Sequence, residues 1–62
     1  MKVRDVMITD IIVVHPDNTI REVLALSDKH RIGTFPVVDA NGNLVGILTN
    51  TDLLHIMTKL LD

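Results

Sequence analysis

The spacing of apolar and polar positions changes along this chain, and each change marks an element. Ile11-Ile12-Val13-Val14 is a β-branched run closed by His15-Pro16, which predicts a short buried strand. Pro16-Asp17-Asn18-Thr19 has turn and cap chemistry. Asn18 or Thr19 can cap the next helix; if Thr19 does, Glu22 sits where a capping box places its acid. Ile20, Val23, Leu24 and Ser27 then recur at helical spacing, widened by Leu26 and His30, and predict a helix over 19–30. Lys29-His30-Arg31 are cations suited to a helix C-terminus, and Gly33 offers a left-handed stop.

Two further strands follow, over 34–39 and 44–49. Asn41-Gly42 between them is a strong hairpin signal. Both strands carry apolar residues on both pleat faces: Phe35 and Val37 against Pro36 and Val38, Leu44 and Leu48 against Val45 and Ile47. A sheet this apolar needs cover on both sides. Leu53, Leu54, Ile56, Met57, Leu60 and Leu61 give residues 50–61 a broad helical apolar face, with His55, Thr58, Lys59 and Asp62 opposite. In residues 1–10, Val3, Val6 and Met7 either line one helical turn or belong to an arm that docks on a neighbour. The fold class is α/β, a β-α-β-β-α core over 11–62 behind an arm over 1–10, with a three-stranded sheet and a right-handed first crossover. The last helix covers the same face as the first or the opposite one. If both share a face, the other needs a second chain.

Composition sharpens this reading. The chain has 62 residues, 47% of them hydrophobic, and Phe35 is the sole aromatic; eight Val, seven Ile and eight Leu must build the core. So short a chain buries only about 60% of its unfolded surface, so surplus aliphatic surface predicts self-association. There are no cysteines, which excludes a disulfide scaffold and thiolate zinc. A net charge of −2 with one aromatic argues against nucleic-acid binding. No apolar run approaches the roughly 18 residues of a membrane span, and no signal-peptide pattern opens the chain, so a cytoplasmic setting is expected.

Thr49-Asn50-Thr51-Asp52 is the most informative stretch for chemistry. It lies where a strand becomes a helix, with free backbone N–H groups and a positive dipole end. Asp52 there can accept hydrogen bonds from vicinal sugar hydroxyls, and Thr49 and Thr51 can donate to ribose or phosphate oxygens. The same residue types also simply cap helices, the better reading on residue chemistry alone. His30-Arg31 can meet phosphate oxygens or merely satisfy a helix C-terminus. His15, His30 and His55 lack metal-ligand spacing, Ser27 lacks the glycines of a nucleophile elbow, and Met7 and Met57 read as core filling. Nothing pairs a nucleophile with a base, so an enzyme is not expected.

In order and spacing, Val3-Arg4-Asp5-Val6-Met7, His30-Arg31-Ile32-Gly33, Phe35-Pro36-Val37-Val38-Asp39, Asn41-Gly42-Asn43-Leu44-Val45-Gly46 and Thr49-Asn50-Thr51-Asp52 resemble a CBS domain (cystathionine-β-synthase domain), as a single copy. The resemblance implies a regulatory module for adenosine-containing ligands: AMP, ADP, ATP or S-adenosylmethionine. It implies a homodimer paired sheet to sheet with ligand clefts between copies, and no required cofactor. It places Asp52 on ribose hydroxyls, Thr49 and Thr51 beside ribose or phosphate, and His30 and Arg31 on phosphates. Thr9, Ile12, Phe35 and Pro36 fall at the border of the adenine. A structural dimerisation module without ligand is the alternative.

Overall fold

A computed structural model describes residues 1–61; expectations for the Leu61 side chain and for Asp62 fall outside the described residues. The elements are α1 (Val3–Val6), α2 (Ile20–His30), β1 (Thr34–Val38), β2 (Leu44–Thr49) and α3 (Asn50–Leu61). Thr19 caps α2: its Oγ1 accepts from the Glu22 N–H at 3.1 Å, while Glu22 Oε2 accepts from the Thr19 N–H at 3.3 Å. Both partners of the box are thus satisfied locally. Asn18 Nδ2 adds a bond to the same carboxylate oxygen at 2.7 Å.

The stop of α2 differs from expectation. Arg31, not Gly33, takes the left-handed conformation, with φ 55° and ψ 43°. The Ser27 hydroxyl donates to the Ile32 carbonyl at 2.7 Å and pins the reversed chain. Gly33 answers a different demand. Its carbonyl accepts from the Asn50 N–H at 2.8 Å, and a Cβ there would collide with the Asn50 amide group. A side chain at this position would have to displace the Asn50 side chain.

β1 and β2 form an antiparallel hairpin in which Thr34 faces Thr49, Phe35 faces Leu48 and Pro36 faces Ile47. Gly42 holds φ 82°, a left-handed turn residue, and its N–H donates to the Asp39 carbonyl at 3.0 Å. Asp39 organises this turn: one carboxylate oxygen accepts from the N–H groups of Asn41 and Asn43, each at 2.9 Å. The Asn43 N–H is the main cause that holds the Asp39 carboxyl below its ordinary value.

The expected three-stranded sheet is corrected to two strands. Val14 meets Val37 in one parallel bridge: its N–H donates to the Pro36 carbonyl at 3.0 Å and its carbonyl accepts from the Val38 N–H at 2.9 Å. Two prolines explain why the ladder stops there. The preceding rung would need an N–H from Pro36, and the following rung an N–H from Pro16; neither exists. The Val38 carbonyl, denied its rung, accepts instead from His15 Nδ1 at 3.0 Å. His15 thus stands in for the missing backbone donor.

Val14, Val23, Phe35 and Leu53 are the buried core, with Ile12, Ile20, Leu26, Ile32, Val37 and Leu48 packed around them. Val23 of α2 and Leu53 of α3 meet the same Phe35, so both helices lie on one sheet face. The opposite face is open, with Val45 and Ile47 more than half exposed. Several positions expected inside stand outside: Leu24, Leu54, Met57, Leu60 and Met7 are all exposed. Leu53 is the one buried core residue of α3 among the described residues, and Leu60, seven residues on along the same stripe, is exposed, so only the start of α3 reaches the core. The radius of gyration, 13.4 Å, exceeds the roughly 11 Å of a compact chain this long. Residues 1–11 are all exposed and extend the molecule rather than cover it.

Candidate functional site

A cleft of about 590 Å³ opens between the segment before Val14 and the start of β1, within the range of small-molecule sites. Ile8, Asp10, Ile11 and Ile12 form one wall; His30, Ile32, Thr34 and Pro36 form the other. The second wall carries a two-residue period through Ile32, Thr34 and Pro36, whereas Ile11 and Ile12 line the first in succession. That period sorts the expected adenine-border residues on β1. Ile12 and Pro36 line the cleft, whereas Phe35, one position out of phase, is fully buried in the core. Thr9 is exposed and is not among the lining residues. Ile8, Asp10, Ile11, Ile32 and Thr34 are lining residues that the sequence reading missed.

His30 and Arg31 part company. His30 lines this cleft, while Arg31 lines a second, more open one of about 460 Å³ with Leu24, Ser27, Asp28 and Asn50. The separation follows from backbone geometry, since the left-handed turn at Arg31 redirects the chain immediately after His30.

Thr49 and Asp52 adjoin the first cleft through the sheet, because Thr49 is the register partner of the lining residue Thr34. Asp52 stands at the third position of α3. Its Oδ2 accepts from the Thr49 N–H and the Thr49 hydroxyl, both at 2.9 Å, and the Asp52 N–H meets Thr49 Oγ1 at 3.4 Å. These two Thr49 donors, the backbone one foremost, hold the Asp52 carboxyl below its ordinary value; desolvation opposes them and His55 adds a smaller lowering. The cap uses one carboxylate oxygen. Among the described residues Oδ1 takes no hydrogen bond, so capping and ligand contact are compatible. Thr51, in the first turn of α3, is exposed.

Among the described residues no three His, Cys, Asp or Glu side chains gather as metal ligands, and no helix is long and apolar enough to cross a membrane. The site offers an apolar slot, a hydroxyl, an imidazole and carboxylates, which suits a ligand with a flat apolar part and a polyhydroxy part.

The comparisons with known proteins bear on family and fold. The family model for the CBS domain matches residues 3–59. An uncharacterised protein of Methanocaldococcus jannaschii is 50% identical over 54 residues, spanning 87% of this chain and 32% of the relative. Inosine-5′-monophosphate dehydrogenase of Mycobacterium tuberculosis is 51% identical over 47 residues, spanning 76% of this chain and 9% of the enzyme. The chain thus spans at most about a third of these curated relatives. Among solved structures, CBSX2 in complex with AMP is similar at a TM-score of 0.89 and 28% identity, over 97% of this chain and 44% of that one. A CBS domain pair in complex with 5′-methylthioadenosine and S-adenosyl-L-methionine is similar at 0.86 and 28%, over 92% and 46%. The cytosolic domain of the Mg2+ channel MgtE in complex with ATP is similar at 0.77 and 35%, over 87% and 22%. With its model match over nearly the whole length, the chain belongs to the CBS domain family.

Proposed function

We propose that this chain is a regulatory, non-catalytic module that binds an adenosine-containing ligand in a cleft completed by a second copy. The adenine lies in the slot between Ile12 and Pro36, with Thr9 at its rim. The ribose hydroxyls bond Asp52 Oδ1, with Thr49 and Thr51 alongside. The 5′ substituent points toward His30. The observation that carries this reading is the cleft itself, lined by five apolar residues of eight and joined through Thr34 and Thr49 to a carboxylate already oriented by its cap. AMP, ATP, S-adenosyl-L-methionine and 5′-methylthioadenosine in structurally similar CBS proteins support the ligand class.

The second copy follows from the open sheet face. Pro36, Val45 and Ile47 lie away from both helices, and exposed apolar surface of this kind marks an interface. Two copies packed through these faces close both clefts, and the extended arm over 1–10 docks on the partner. Calorimetric titration of the dimer with AMP, ATP and S-adenosylmethionine tests the reading. Saturable heat with at least one ligand is expected; silence with all three overturns it.

A second reading is favoured by one observation: the Thr49–Asp52 bonds form a complete helix cap without any ligand. On that reading the fold is a structural dimerisation unit. Thermal melting separates the two, since a ligand at 100 times its Kd adds about 2.7 kcal/mol, whereas a structural unit melts unchanged.

A further inference from the structure

We infer that the cleft sorts adenosine ligands by the charge on the 5′ side, favouring an uncharged thioether or a cationic sulfonium over a polyphosphate. This inference rests on the adenosyl-binding reading above and names the ligand class within it.

The argument begins with what lines the cleft. Five of its eight lining residues are apolar: Ile8, Ile11, Ile12, Ile32 and Pro36. The polar three are the Thr34 hydroxyl, the His30 imidazole and the Asp10 carboxylate. Among the described residues no lysine or arginine lines it. Arg31, next to His30 in sequence, lines the neighbouring cleft, which shares Ile32 with this one.

The remaining source of positive potential is the start of α3, and it is already answered. Asp52 places a carboxylate on that first turn, bonded to the Thr49 N–H and hydroxyl. A helix N-terminus carries only about half a positive charge, so one carboxylate more than offsets it. A polyphosphate would therefore find no lysine or arginine among the lining residues, with one carboxylate, Asp10, lining the cleft and a second, Asp52, adjoining it. A thioether meets an apolar wall instead, and a sulfonium gains from Asp10.

Pairing does not supply the missing cation from the sheet. The face each copy presents through Val45 and Ile47 is apolar.

The test is a calorimetric series at constant pH and low salt on the full 62-residue chain, using 5′-methylthioadenosine, S-adenosylmethionine, AMP and ATP. The thioether and the sulfonium are expected to bind roughly tenfold or more tightly than ATP, with AMP between. Asp10→Asn should tighten ATP roughly three- to tenfold relative to 5′-methylthioadenosine. Asp10→Glu, which keeps the charge, should restore the wild-type order. ATP binding as tightly as the thioether, or Asp10→Asn shifting both by the same factor, overturns the charge-sorting inference and leaves adenosyl binding standing. No heat with any of the four overturns both.

Discussion

The two faces of the β1–β2 hairpin have similar apolar content and opposite fates. On one, Phe35 is fully buried and Val37 and Leu48 pack beside it under α2 and α3. On the other, Ile47 is 61% exposed and Val45 55% exposed, although both are as hydrophobic as their counterparts. The difference lies in which face the chain can cover with its own helices. One short chain supplies two long helices, both of which join the same core. The comparison teaches that the open face is apolar surface this chain's own helices leave uncovered, and that the cleft lies on its margin at Thr34 and Pro36.

The comparison can be broken first on the buried side. Phe35→Ala should cost about 3–5 kcal/mol, most of what a domain this small possesses. The expected outcome is loss of the cooperative melt, seen by circular dichroism. On the open face, Ile47→Asp places a charge where a second copy would pack. Sedimentation should then show a subunit of 6.9 kDa that keeps its helical signal, with ligand affinity falling alongside. If Ile47→Asp unfolds the subunit as thoroughly as Phe35→Ala, the distinction between the faces fails.

The two helix caps sharpen the comparison further. Thr19–Glu22 and Thr49–Asp52 share a reciprocal geometry, yet only the second adjoins the cleft. Asp52→Asn should weaken ligand binding roughly 10- to 100-fold by calorimetry, as expected for lost hydrogen bonds to a charged group. Glu22→Gln should leave affinity within about twofold. Thr19→Ala, which removes a cap and no ligand contact, should cost about 0.5–2 kcal/mol in denaturant melts.

The smallest effect concerns pH. Asp39 and Asp52 both hold folded values below the ordinary 3.8. The unfolded chain therefore takes up these protons first as pH falls. Their contribution is fully present above 3.8 and is lost as pH drops through the lower folded values. A melting series from pH 6 to pH 2 should slope downward only at its acid end. Asp39→Asn should flatten part of that slope.

Much of this was legible in the residues, because the signals were local. Thr19 and Glu22, Asn41-Gly42 and the apolar spacing of 20–30 and 50–61 each specify their element within a few positions. The departures came from interactions across the chain. Nothing in Ile11–Val14 itself shows that Pro36, more than twenty residues on, withholds the N–H that a third strand needs. Gly33 looked like a helix stop because its demand comes from Asn50. At the site, the family resemblance named Ile12, Pro36 and Asp52, while phase along β1 separated Pro36 from Phe35 and revealed Thr34. The split of His30 from Arg31 required the backbone conformation at Arg31.

The central claim is that one copy supplies half of a core and half of a pocket. Sedimentation equilibrium in dilute buffer tests it most directly. The account predicts a mass of twice 6.9 kDa, reduced to the single-subunit value by Ile47→Asp. A folded, cooperatively melting wild-type chain that sediments as one subunit, with or without adenosyl ligand, would contradict it.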